Sequence, residues 1–177
     1  MTKKYNVGEV MITQEQIFKR AEEIGETITK EFEGQQVFVI GILKGAVLWL
    51  ADLVKCIELD VHLDFMAVSS YGAGTETSGA VKIIKDLDVS IEGKNVIIIE
   101  DIVDSGVTLN YLKHYLLGMN PKSLKICTML DKPAGRQIEI DVDYIGFTVE
   151  DKFIVGYGLD YNQKYRNLSY VTCLTDK

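Results

Sequence analysis

Three carboxylates stand within five residues at Glu100, Asp101 and Asp104, and Ser105, Gly106 and Thr108, small or hydroxylated, follow them. The run before them, Val96 to Ile99, is apolar and mostly β-branched, the pattern of a strand buried on both faces. Behind them the period becomes helical, with Leu109, Leu112 and Leu116 on one face. The order is strand, acidic turn, small-residue loop, helix. A helix N-terminus offers free backbone N–H groups, which suit an anion and phosphate best. Carboxylates do not bind phosphate; beside it they suit Mg²⁺, hydroxyl groups or a proton. The implied ligand carries phosphate and hydroxyls, with a metal alongside. The bland alternative is a strand-to-helix connection with an acidic surface turn and a Ser or Asp cap. Its place weighs against that reading, because the carboxyl ends of strands are where open α/β sheets bind ligands.

Cations recur at comparable places. Lys44-Gly45 follows the strand-like run Gln36 to Leu43 and precedes a helix-like stretch, Ala46 to Cys56. The lysine stands where an anion would bind, and the glycine lets backbone approach it. A solvated lysine beside a turn glycine fits the same residues. Lys132 and Arg136 follow another strand-like run, Ser123 to Leu130, and suit a carbonyl or phosphate oxygen. Lys152 beside Phe153 offers a cation to a carbonyl oxygen and an aromatic face for stacking, the contacts a 6-oxopurine needs. A strand with Phe153 in the core is the competing reading.

The elements that must position these groups are legible from pattern. Thr13 and Gln16 form a capping box, with Ile12 and Ile17 as a staple, before a helix carrying Ile17, Ala21, Ile24, Ile28 and Phe32 and ending near Gly34. Val61 to Ser69 alternates Val61, Leu63, Phe65 and Ala67 with His62 and Asp64, a half-exposed strand. Ser70 to Gly79 holds three glycines and five hydroxyl residues in ten, too polar for a core and of the length of a lid or a hairpin connection, with Ala80 to Lys85 as the returning strand. The helix after the acidic cluster ends near Gly118, with Pro121 as a stop, and Asp143 to Thr148 is a short strand. His62 and His114 read as structural. Neither a dinucleotide fingerprint nor a Walker loop is present.

The totals set bounds. The 177 residues suit one domain, 1–177, with a full core, and 47% hydrophobic with 25% charged residues is ordinary for a soluble protein. A net charge of -7 argues against nucleic acid as a partner while leaving room for a small anion held by a local cation cluster. Cys56, Cys127 and Cys173 are odd in number, far apart and without metal spacing, so buried free thiols in a reducing compartment are expected. The start leads into no apolar run, and no stretch approaches the roughly 20 apolar residues of a membrane span, so a cytoplasmic, membrane-free protein is expected.

Glu100-Asp101-Ile102-Val103-Asp104-Ser105-Gly106-Val107-Thr108 resembles the phosphoribosyl-pyrophosphate (PRPP) loop of phosphoribosyltransferases, with Val107 where many relatives carry Lys. Leu43-Lys44-Gly45 resembles the family's pyrophosphate loop, whose Leu–Lys peptide can be cis, and Ser70-Tyr71 its flexible-loop pair. The segment DKFIVGYGLDYNQKYRNL is similar to the C-terminal signature of hypoxanthine-guanine phosphoribosyltransferases. The resemblance implies an α/β fold, a mostly parallel twisted sheet with helices on both faces and a small cap from the N- and C-terminal segments. It implies hypoxanthine or guanine plus PRPP giving IMP or GMP plus pyrophosphate, with Mg²⁺, in a homodimer or homotetramer. Lys44, Gly45 and Arg166 are then assigned to pyrophosphate, covered by Ser70 and Tyr71. Glu100 and Asp101 take the ribose hydroxyls directly or through metal-bound water, with Asp160 as the second Mg²⁺ contact. The amides of Asp104, Ser105, Gly106, Val107 and Thr108 take the 5′-phosphate. Lys132 and Lys152 reach the purine 6-oxygen region, with Arg136 also among the substrate-binding residues, Phe153 stacked on the ring and main chain near Ile154 at its edge. Asp104 is the candidate general base. A xanthine-preferring enzyme and a nucleotide-sensing regulator of the same fold are alternatives. A receiver-type signalling domain is another, disfavoured because its acidic pair follows the first strand.

Overall fold

The computed structural model describes residues 5–70 and 81–176. Five strands form a parallel array: β2 (Val37–Leu43), β3 (Val61–Ser70), β5 (Asn95–Val103), β6 (Ser123–Asp131) and β7 (Tyr144–Thr148). β4 (Val81–Lys85) is antiparallel to β3 at one edge, and the strand order is β4-β3-β2-β5-β6-β7. β1 (Tyr5–Ile12), β9 (Val171–Asp176) and β8 (Ile154–Val155) make a separate antiparallel sheet from the two ends of the chain. The expected architecture is therefore observed, cap included.

Both faces of the large sheet are covered, as the Val96 to Ile99 pattern requires. Ile97 and Ile99 pack with α1 (Gln14–Glu31) and α2 (Val47–Val54), through Ile17, Ile24, Ile28, Trp49 and Leu53. Val96 and Ile98 pack with Leu109, Leu112 and Leu116 of α3 (Val107–Leu117). The α1 start is as read: Thr13 Oγ1 accepts the Gln16 N–H and Gln16 Oε1 accepts the Thr13 N–H, two donors that would otherwise be orphaned. Among the described residues no helix is long and apolar enough to cross a membrane.

One strand has no local signal, and two expectations change. β1 carries no clear alternation and exists through pairing with a strand at the far end of the chain: the Thr172 hydroxyl donates to Gly8 O and Glu9 O at 3.0 and 2.7 Å. Only Cys127 is buried, while Cys56 and Cys173 are half-buried; all three are free. In β3 the alternation is partly reversed. Leu63 is exposed, whereas Asp64 and Met66 are buried, because Ile83, Leu87 and Ile91 cover that face.

Asp64, 5% exposed, is kept ionic by its neighbours. It accepts the N–H of Phe65 and of Asp88 at 2.7 and 2.8 Å and lies 3.4 Å from the Lys85 ammonium. Burial alone would raise its carboxyl; the Asp88 and Phe65 amides and Lys85 outweigh it and hold it below its ordinary value. A depressed carboxyl contributes stability above its unfolded value, about 3.9, and loses it as pH falls through the folded one. Asp64→Asn is expected to cost about 1–3 kcal/mol at neutral pH, with the gap to the parent closing under acid. Denaturant melts across pH check this; a pH-independent gap would remove the charge from the explanation.

Candidate active site

The strands end unevenly, and the unevenness makes the site. β2 pairs with β5 only as far as Gly41–Ile99, while β5 pairs with β6 on to Val103–Asp131. Glu100 and Asp101 thus lie within β5, correcting the expectation of a turn after it. The β2 chain has already left through Leu43–Lys44, a cis peptide as the resemblance implies. Lys44 is exposed and Gly45 buried. A Cβ on Gly45 would lie 1.5 Å from Asp101 Oδ2, so only glycine lets this turn reach the carboxylate. The cap closes against the same point: a Cβ on Gly158 would lie 2.0 Å from Gly45 O.

Glu100 and Asp101 are half-buried neighbours. Burial, and then the Asp101 charge, push the Glu100 carboxyl well above its ordinary value. Burial also raises Asp101, against the Ile102 N–H that donates to it at 2.7 Å and the charge of Arg166. Both are hard oxygen donors short of positive charge. Among the described residues no three His, Cys, Asp or Glu side chains gather to hold a metal by themselves. The two carboxylates are the donor set that Mg²⁺ accepts, since it takes one or two carboxylates together with substrate oxygens and water.

The turn after β5 lines a cleft of ≈ 170 Å³ with Glu100, Ile102, Val103, Asp104, Ser105, Gly106, Thr108 and Leu109. Its carbonyls are taken from behind. Val103 O accepts the Lys132 N–H, and Ser105 O accepts the Gln137 and Ile138 N–H groups at 2.9 and 3.0 Å. Val107 N–H reaches Ser105 Oγ at 3.4 Å. Among the described residues no acceptor takes the N–H of Ser105, Gly106 or Thr108. Free amides opening on a cleft at a helix N-terminus make an anion cradle.

Asp104 projects beside this cradle. Its carboxylate lies 2.7 Å from the Lys132 ammonium, which is also 3.3 Å from Asp151. Burial would lower the Lys132 ammonium, but the two carboxylates outweigh it and raise it. A Cβ on Gly135 would fall 1.8 Å from Asp104 Oδ1, so the one-turn 3-10 helix Pro133–Gly135 needs its glycine there. Pattern reading passed over Gly135, Asp151 and Gly158; the glycines in Pro-Ala-Gly-Arg and Gly-Tyr-Gly were the available signal.

The remaining candidates divide. Phe153 is 54% exposed, which excludes a core role and leaves a face for stacking, with Tyr161 edge-on at 5.4 Å. Ile154 is buried in β8 beneath it. The Lys152 ammonium pairs with Glu150 at 2.8 Å. Arg166 pairs with Asp160 at 2.7 Å and donates to Gly158 O at 2.7 Å, while its buried Nε finds no partner among the described residues. Asp160 also accepts the Gln163 N–H, so its oxygens are turned onto its own loop. Arg136 faces inward, onto the carboxylate of Asp131 and the carbonyls of Val103 and Asp104. Ser70 ends β3; its side chain and Tyr71 lie outside the described residues.

A carboxyl raised by burial contributes stability below its unfolded value, about 4.3, that is lost as pH rises through the folded one. Glu100→Gln, measured in chelator, is expected to stabilise the protein near neutral pH by about 0.5–2 kcal/mol and to match the parent under acid. A neutral-pH melting point at or below the parent's would contradict the desolvated carboxylate.

The family model for the phosphoribosyl transferase domain matches residues 11–162. The chain is 50% identical over 171 residues to a hypoxanthine-guanine phosphoribosyltransferase of Bacillus subtilis, covering 97% of this chain and 95% of that one. It is 49% identical to the protein of that name in Lactococcus lactis, over 95% of this chain and 91% of that one. A hypoxanthine phosphoribosyltransferase of Staphylococcus aureus superposes with a TM-score of 0.92 at 46% identity, over 96% of this chain and 92% of that one. With the carboxylate pair, the amide-lined turn and the exposed Phe153 in place, these matches settle the assignment: the chain belongs to the hypoxanthine-guanine phosphoribosyltransferases.

Proposed function

We propose that the protein transfers the 5-phosphoribosyl group of PRPP to hypoxanthine or guanine, giving IMP or GMP and pyrophosphate. The observation that carries this reading is the turn at Ser105, Gly106 and Thr108, whose amides open on the cleft while its carbonyls at Val103 and Ser105 are held from behind, next to the Glu100–Asp101 pair. Phosphate and sugar hydroxyls are the two chemistries that such neighbours accept together.

In this reading the amides of Asp104 to Thr108 hold the 5′-phosphate, and Glu100 and Asp101 hold the ribose hydroxyls. Lys44, the Gly45 backbone and Arg166 hold the pyrophosphate; the forked guanidinium suits its oxygens. Phe153 stacks on the base, the main chain near Ile154 meets its edge, and Lys132 and Lys152 supply cations toward its 6-oxygen. Arg166 leaves Asp160 to do so, exchanging one anion for another; Lys152 leaves Glu150, and Lys132 gives up Asp151 while keeping Asp104. Mg²⁺, held by Glu100 and Asp101 with Asp160 as a further contact, would neutralise charge gathering on the departing pyrophosphate.

The bond from the sugar carbon to pyrophosphate breaks, the bond to the purine nitrogen forms, and the purine proton goes to the Asp104 carboxylate. Lys132 at 2.7 Å orients that carboxylate, and the absence of a side chain at Gly135 leaves it room. Asp104→Asn is expected to lower turnover by about 10²–10⁴-fold while PRPP still binds. Turnover within about threefold of the parent would remove Asp104 from proton transfer. The activity itself is tested by steady-state assays with PRPP, Mg²⁺ and hypoxanthine, guanine, xanthine or adenine in turn. Product with the first two supports the reading; product with xanthine alone redirects the base specificity, and none with any base overturns it.

A further inference from the structure

Arg136 is placed as no substrate-binding arginine need be. Its side chain is 8% exposed, and all its bonds go inward. Nε donates to Asp104 O at 3.0 Å, Nη2 donates to Val103 O at 3.3 Å, and Nη2 also pairs with the carboxylate of Asp131. The two carbonyls belong to the turn whose amides form the anion cradle.

A peptide group is rigid and planar, so the direction of a carbonyl sets the direction of the next residue's N–H. Drawing Val103 O and Asp104 O toward the guanidinium turns the N–H groups of Asp104 and Ser105 the other way. The Gln137 and Ile138 amides act likewise on Ser105 O and hence on the Gly106 N–H. The guanidinium is the only one of these holds made by a side chain that could be exchanged without altering the backbone. Asp131, at the end of β6, holds the guanidinium in turn. Its planar fork spans these acceptors together, which an ammonium cannot do.

The geometry points to Arg136 as a positioning residue: it sets the direction of the phosphate-binding amides and does not touch the phosphate. This assignment rests on the turn being the 5′-phosphate cradle. It differs from the sequence reading, which placed Arg136 among the residues touching substrate.

The test compares the full-length protein with Arg136→Met, Arg136→Lys and Asp131→Asn. Dissociation constants for GMP and guanosine are measured, with KM for PRPP and for hypoxanthine and the backbone amide resonances before any ligand is added. Arg136→Met is expected to weaken GMP and raise KM for PRPP by about tenfold or more, the scale of a lost charge-assisted hydrogen bond. Guanosine affinity and KM for hypoxanthine stay within about threefold, inside the ordinary spread for a contact left intact. Arg136→Lys recovers little, and Asp131→Asn gives a smaller loss of the same kind. The Ser105, Gly106 and Thr108 amide resonances move in the unliganded variants. Unmoved resonances would show that the arginine acts on the ligand directly and overturn the proposal, as would equal losses for GMP and guanosine. A parent protein that binds GMP no better than guanosine would instead refute the phosphate cradle itself. Should Arg136→Met fail to fold, Asp131→Asn carries the same comparison.

Discussion

Burial of β5 on both faces is the constraint from which the site follows. Val96 to Ile99 are completely enclosed, two side chains to each face, between α1 and α2 on one side and α3 on the other. A slip of one residue would exchange the faces, so the register is firmly held. With the register held, Glu100 and Asp101 must fall at the C-terminal edge, where pairing of β5 with β2 has stopped and pairing with β6 continues. The carboxylates are left with a strand partner on one side and the Lys44-Gly45 turn on the other. The cost of half-burying two like charges falls on the sheet, which carries it because the four residues before them are so well packed.

Around that edge the charges are arranged as exchangeable pairs. Lys132 is shared by Asp104 and Asp151, Lys152 leans on Glu150, and Arg166 leans on Asp160. In the proposed reading, pyrophosphate that displaces Asp160 from Arg166 loses less than the full desolvation cost of an isolated charge. The same arrangement keeps a protein of net charge -7 competent for a polyanion, because the cations that matter are gathered on loops at one edge. Glycine at 45 and 135 sets how closely those loops approach the carboxylates, and Gly158 brings the cap onto the first of them.

Much of this was legible residue by residue. A β-branched run ending in three carboxylates, followed by small residues and a leucine stripe, has few other physical meanings, and Thr13 with Gln16 marks a helix start without reference to anything else. Asp64 was misplaced because alternation alone cannot say which face a later segment will cover, and here Ile83, Leu87 and Ile91 covered the one with the carboxylate. β1 was missed because its partner is the other end of the chain. Phe153 could be core or platform until its exposure was known.

Local pattern, then, determined the elements, the two-faced burial of β5 and the residue types available at each strand end, since those depend on contacts within a few positions. The tertiary structure alone decided which cation meets which carboxylate, that Arg136 turns onto the carbonyls behind the turn, and that Gly45 and Gly158 touch. Apart from Lys152 with its near neighbour Glu150, these contacts join positions from five to more than a hundred apart along the chain, and backbone periodicity carries no information about how separate loops meet.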